Sequence, residues 1–300
     1  MKRKRIGIVG PSQIYHLIPV LEQEYDVVNL QKILDEDTNR LVRITKFIIK
    51  AFKIDVLYNV FNSPYSYKKF NLVKLFGVKT ITHWIGTDVR YVVEGKTDLS
   101  RLKNVDKHVV CFEALQDDLK EKGICADILP ITPFNLKFSI SKMPIDHAVI
   151  IYMPKGVEMD YGFDEIERVF SKYPKLPFYI VANDDKKKFA PYPNVYALGR
   201  LTKDEMEELY NKVSIVVRIH VSDGLSMSVL EGMAKGKKII WNCKYPYVYP
   251  GSTTKEICSS LDVILKTPPT ADLEAHNFIN SEYTKEKFLI QFNKYLNSIM

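Results

Sequence analysis

Residues 214–241 read SIVVRIHVSDGLSMSVLEGMAKGKKIIW. A β-branched run at 214–219 feeds a polar loop, a helical period opens near Ser226, and a second apolar run follows at 238–241. Strand, helix and strand with short connections form the unit of a parallel sheet, because parallel neighbours need a crossover. Ser226 stands where an N-cap belongs, and Gly236 where a left-handed terminator belongs. The helix therefore opens at the carboxyl end of a strand, and its amides and positive dipole end make a ready site for a diphosphate. Asp223 and Glu231 place two carboxylates eight positions apart. Glu231 lies one turn beyond Met227 on the same face and can reach a diol beside that phosphate. Asp223, ahead of the helix, can accept hydrogen bonds from another part of the same ligand. The same residues also suit a plain capped helix, with Glu231 favoured in the early turns and Val229, Leu230 and Met233 in the core. Taken alone, the stretch leaves both readings open.

The alternation extends along the chain. Strand-like runs fall at 5–9, 55–60, 79–83, 108–111, 148–153, 178–182, 195–198, 214–219, 238–241 and 263–265. Helical patterns fall between them, at 14–24, 65–76, 115–122, 163–172, 203–212 and 226–235. This predicts an α/β protein of doubly wound parallel sheets, with ligands at the carboxyl ends of the strands. The segment 129–144, LPITPFNLKFSISKMP, has three prolines and no helical period, and marks a break between two domains. The expected division is 1–135, a linker at 136–145, a second domain at 146–283, and a last helix within 284–300 that can pack on either.

Composition narrows the classes. Three hundred residues, 46% apolar, with 13 Gly and 15 Pro, describe a globular chain of two domains. No apolar run approaches a spanning helix, and the one after the basic start MKRKR ends at Val9, too short for a signal peptide. Four cysteines without CxxC spacing fit a reducing cytoplasm and no structural zinc. The net charge of +7 suits a phosphate-bearing partner or an anionic membrane. Its basic residues follow no nucleic-acid-binding motif, so no nucleic acid is expected.

Residues 194–240, NVYALGRLTKDEMEELYNKVSIVVRIHVSDGLSMSVLEGMAKGKKII, resemble the carboxyl-terminal half of family 4-like glycosyltransferases of the GT-B fold. Those enzymes carry a strand ending in "lG", a helix "eel.ely", a strand, and an "EG…LEAMA.G.P" element with two acids eight apart. The resemblance implies two Rossmann-like domains facing each other across a cleft, a nucleotide-sugar donor such as a UDP- or GDP-sugar, and retention of anomeric configuration. No cofactor or metal is implied. By the same resemblance Asp223 contacts the transferred sugar, Glu231 holds the ribose, and the amides of Gly224, Leu225 and Ser226 face sugar and diphosphate. Asp223 is one methylene shorter than the family's first acid.

Further positions follow from the same alignment of motifs. The stretch THWIGTDVR at 82–90 resembles the family's "HG.D" loop and places His83, Gly86, Thr87 and Asp88 near the reacting sugar. The first loop, with Gly10 and His16, stands where a Gly-rich turn approaches phosphate or acceptor, but it keeps one Gly only. A tight turn with His16 packed on its helix is the equal alternative. Cations are needed for the diphosphate. The family's Arg and Lys after the first strand of the second domain reduce here, in 150–166, to Lys155, with Tyr161 near the expected Lys. Lys155 ranks first and Arg218 second, with Arg200 beside Gly199 also able to compensate. If the enzyme inverts instead, His83 or His16 is the expected base.

Residues 40–53, RLVRITKFIIKAFK, put Arg40, Arg43, Lys46, Lys50 and Lys53 on one helical face. This is the solvated face of a Rossmann helix or a contact with an anionic membrane on the cytoplasmic side. The expected function is sugar transfer from a nucleotide sugar to a glycan or lipid-linked acceptor. A sugar-nucleotide epimerase of the same fold and a non-catalytic binding subunit are the alternatives.

Overall fold

The computed structural model describes residues 3–12, 14–36, 39–62, 67–131, 139–222 and 224–300, without the side chains of 67–69 and 101. The chain forms two compact units, 1–135 with 283–300, and 136–282.

Unit 1 opens with β1 (Arg5–Val9), α1 (Ile14–Leu21), β2 (Asp26–Asn29), α2 (Leu30–Glu36), α3 (Arg40–Ala51) and β3 (Val56–Val60). It continues with α4 (Tyr67–Lys74), β4 (Lys79–Trp84), α5 (Thr87–Val93), a 3₁₀ turn (Leu99–Asn104), β5 (Lys107–Val110), α6 (Glu113–Glu121) and β6 (Asp127–Ile128). Its six strands are parallel, in the order β2-β1-β3-β4-β5-β6. β1 and β3 are almost wholly buried, as strands covered on both faces must be.

Unit 2 runs β7 (Val149–Tyr152), α7 (Phe163–Lys172), β8 (Phe178–Val181), α8 (Lys186–Phe189), β9 (Val195–Gly199), α9 (Lys203–Tyr210) and β10 (Ile215–Arg218). There follow α10 (Met227–Ala234), β11 (Lys238–Trp241), β12 (Val248–Pro250), α11 (Thr254–Ile264) and α12 (Leu273–Glu282). This sheet is also six-stranded and parallel, in the order β12-β11-β10-β7-β8-β9. The last helix, α13 (Lys285–Asn297), belongs to unit 1 and adds Phe288, Leu289, Phe292 and Leu296 to the core around Ile6, Tyr58 and Val109.

Local chemistry explains several boundaries. Thr202 and Glu205 form a reciprocal capping box that starts α9. Gly236, at φ 73°, ends the turn after α10. Gly232 lets α10 lie close on the sheet, since a Cβ there would come within 2.8 Å of Val216 and 2.9 Å of Ile239. The run at 263–265, expected as a strand, is instead the end of α11 and the residue after it. Ile257, Leu261 and Ile264 are buried at helical spacing, and that period outweighs three adjacent apolar residues. Strands β2 and β12 escape the pattern because they are short sheet edges with little burial, and β12 carries Pro250, which an edge tolerates. The linker expected at 136–145 falls partly outside the described residues; 139–148 carry neither helix nor strand.

Candidate functional site

In unit 2 the chain leaves β7 for β8 and β9, then returns to lay β10 on the other side of β7. The loops after β7 and β10 thus diverge, and this switch point opens a crevice at the carboxyl edge of the sheet. Tyr152 ends β7 and Arg218 ends β10. Arg218 is 7% exposed, with its guanidinium carbon 4.8 Å from the Tyr161 ring centroid and 5.8 Å from that of Tyr152. His220 meets the Tyr161 ring edge-on at 4.7 Å. Rings on two sides orient the guanidinium and cost it less solvation than an aliphatic wall would.

The loops that carry these groups are fixed from below. Asn242, after β11, accepts from the His220 amide at 3.2 Å and donates to its carbonyl at 2.9 Å. The Ser222 amide donates to His220 Nδ1 at 3.2 Å, so a neutral ring carries its proton on Nε2. The Val221 amide donates to the Asp160 carbonyl at 2.9 Å. Gly162, at φ 69°, lies so near Ile219 that a Cβ would meet it at 2.5 Å. Glu158, nearly buried, accepts from the Gly156 amide and from Asn183 Nδ2, joining the loops after β7 and β8.

Helix α10 opens beside this cluster. Ser226 has N-cap backbone angles, yet its hydroxyl pairs with that of Ser228 at 3.1 Å and caps no amide, contrary to the expectation from sequence. Gly224 and Leu225 are half-buried, and Asp223 lies outside the described residues. Among the described residues no side chain caps the first turn, which leaves its dipole end open to an anion. Glu231, in the second turn, is half-buried and accepts a hydrogen bond from the Tyr210 hydroxyl. Burial pushes its carboxyl up, while Lys235 and Tyr210 pull it down. Lys235, almost wholly buried, binds both carboxylate oxygens of Glu207 at 2.5 and 2.6 Å and lies 5.1 Å from the Tyr210 ring centroid. Glu231 is thus held from α9.

The other cations of unit 2 sit elsewhere. Lys155, ranked first from sequence, is in an exposed ion pair with Asp184 at 2.8 Å. It is Arg218 that the fold brings to the switch point. Gly199, at φ 73°, spends both backbone groups on the loop after β8, accepting from Ala182 and donating to Asn183, and Arg200 beside it is exposed.

Unit 1 corrects two expectations. His83 is wholly buried, with Nδ1 2.6 Å from the Tyr58 hydroxyl and Nε2 3.7 Å from Cys111 Sγ. Burial drives its pKa down to about 3, so it is a neutral core residue in this structure and no base at neutral pH. Asp88, also fully buried, accepts from the amides of Asn62, Ile85, Gly86 and Val89 at 2.9 to 3.1 Å. Its carboxylate is consumed by the backbone and clasps the loops after β3 and β4. Burial pushes it up to about 6 against the pull of those four amides. Thr87 is exposed and Gly86 buried. At Gly10 a Cβ would lie 2.7 Å from the Val60 carbonyl, so this glycine permits β1 and β3 to close together. His16 is exposed on α1.

Sequence reading missed the cluster of Tyr152, Tyr161 and His220 around Arg218. Only Tyr161 carried a signal, as the residue near a missing cation. The support of Glu231 by Tyr210 was also invisible, since it joins two helices.

No family model matches the chain, and no curated protein sequence does. Solved structures do. Sucrose-phosphate synthase from Thermosynechococcus elongatus superposes with a TM-score of 0.70 at 13% identity, over 99% of each chain. The S. aureus protein TarM, in complex with fondaparinux, α-GlcNAc-glycerol and UDP, gives 0.61 at 16% identity, over 86% of this chain and 59% of that one. UDP-GlcNAc 2-epimerase from Neisseria meningitidis, bound to UDP-GlcNAc, gives 0.57 at 12% identity, over 98% and 100%. The chain has the GT-B fold. The GT-B neighbours include both transferases and epimerases, so the fold itself does not choose between them.

Proposed function

We propose that the protein is a glycosyltransferase that takes a sugar from a UDP- or GDP-sugar and gives it to a glycan or lipid-linked acceptor. The observation that carries this reading is the meeting of Arg218 and the uncapped start of α10 at the switch point of unit 2. A guanidinium and helix amides together match a diphosphate, whose charge grows as the glycosidic bond breaks. Glu231 then accepts from the ribose hydroxyls, and Asp223 from the sugar. Unit 1 is assigned to the acceptor. Reaction with retention needs no protein base if the departing phosphate takes the acceptor proton, which agrees with a His83 that is buried and neutral.

Titration calorimetry with UDP and GDP on the wild type and on Arg218→Ala tests the site. A nucleotide bound by the wild type and weakened in the variant supports the assignment; equal affinities sink it. A donor and acceptor screen then reads transfer through acceptor-dependent release of the nucleoside diphosphate.

A second reading is favoured by the full-length match to the epimerase. Epimerisation at C2 must break that C–H bond, so UDP-GlcNAc incubated in deuterated water would gain deuterium at C2 with no acceptor present. Transfer would leave C2 unlabelled.

A further inference from the structure

Helix α3 is poorly covered for its composition. Asn39 caps it, with Oδ1 accepting from the Leu41 and Val42 amides, yet only Phe47 and Ala51 of its twelve residues are buried. It packs on α2, and its remaining apolar side chains face outward: Leu41 is 75% exposed, Ile49 51%, and Phe52, just past its end, 63%. At 3.6 residues per turn Leu41, Ile48, Ile49 and Phe52 share one sector, and Lys46, Lys50 and Lys53 form the next. The Phe52 ring lies 3.8 Å from that of Phe76, and the neighbouring Leu75 is 79% exposed, which extends the apolar strip beyond the helix.

A second feature adjoins the end of α3. Phe52 and Lys53 line a depression of about 490 Å³ together with Arg3, Lys4, Arg5 and Met300. Asp55 is the one acid in this lining, and its carboxylate accepts from the Arg5 amide at 2.7 Å. Residues 40–53 include five cations and no acid. An apolar strip bordered by long-stemmed cations and next to a basic hollow matches an apolar layer beneath a layer of phosphates. Among the described residues no helix is long and apolar enough to cross a membrane, so the contact is with the surface.

We propose that this face of unit 1 docks on an anionic phospholipid bilayer. Leu41, Ile49 and Phe52 enter the interface, Lys50 and Lys53 lie among the headgroups, and the hollow at Arg3 and Arg5 accepts a lipid phosphate. The inference is independent of the donor site in unit 2.

Flotation of the full chain with vesicles tests it. Vesicles of phosphatidylcholine and phosphatidylglycerol in equal parts should bind the protein, with retention falling as salt rises, and vesicles of phosphatidylcholine alone should not. Neutralising Lys50 or Lys53 with Gln should lower partitioning about fivefold per residue. The double variant Leu41→Ser, Phe52→Ser should lose retention while its melting curve stays that of the wild type. Equal binding to neutral and anionic vesicles, or no binding to either, overturns the proposal. So does a serine double variant that binds normally while soluble polyphosphate competes, which would mark a general polyanion site.

Discussion

In unit 1 the loops after β3 and β4 are tied together by a carboxylate with no exposure, Asp88, above a buried polar layer of Asn59, Asn62 and Thr82. In unit 2 the loops after β7 and β10 meet through Tyr152, Tyr161 and His220 around the guanidinium of Arg218. Both sheets are parallel and doubly wound, and both groups sit at carboxyl ends. The difference lies in what the polar atoms face. In unit 1 their hydrogen bonds are made to the protein itself, so they hold the fold. In unit 2 a cation and a helix start stand at a switch point with Tyr152 40% exposed, so they can hold something else.

The sharpest way to break this contrast is to remove the two charges in turn. Asp88→Ala leaves four buried amides without an acceptor, and unit 1 should lose about 4 kcal/mol of stability. Urea unfolding checks this. A loss under about 1 kcal/mol would mean the clasp is not structural.

Acid should separate the units next. His83 is held down to about 3 and His108 to about 4, both by burial, with Lys107 adding to the second. A base with a depressed pKa binds fewer protons folded than unfolded, so stability falls as pH drops below about 6.5. Asp88, pushed up to about 6, acts in the opposite sense between about 4 and 6 and offsets part of the loss. The net change on going from pH 7 to pH 4 should be on the order of 3 kcal/mol against unit 1. Hydrogen exchange resolved by peptide would show unit 1 opening first. Uniform exchange across both units would contradict the assignment of these histidines to the core.

Arg218→Ala should have the converse signature. Affinity for the nucleoside diphosphate is expected to fall about a hundredfold, near 2.7 kcal/mol, with a melting shift of only a few degrees. Arg218→Lys should recover little of the affinity, because a lysine cannot reproduce the planar fork between two rings. A variant that unfolds instead would place Arg218 with Asp88, as a structural charge.

These contrasts show how far the sequence is legible. The parallel architecture could be read because βα alternation is a local signal, and 214–241 states it within one segment. The role of a polar residue depends on what surrounds it. His83 and Asp88 sit in a loop that matches a functional motif, yet burial and four backbone amides decide what they do. Arg218 looked secondary to Lys155 because rank followed position after a strand. The partners that hold it, Tyr161 and Tyr152, come from another part of the chain.

The smallest effect sharpens the comparison from the scaffold side. Ala182, after β8, holds φ at 68°, a left-handed conformation that an alanine adopts only at some cost. Its amide donates to the Gly199 carbonyl at 2.7 Å, and the next residue, Asn183, is fully buried and reaches Glu158. The conformation therefore serves to turn Asn183 toward the loop that leads to Tyr161. Ala182→Gly relieves the strain but also frees the unfolded chain, and these effects oppose each other. The net gain should be about 0.5 kcal/mol. If the loop geometry then stays fixed, nucleotide affinity should equal that of the wild type. A more stable variant with weaker binding would show that strain at Ala182 positions the switch-point cluster, making unit 2 the one that holds a costly backbone conformation in place for a ligand.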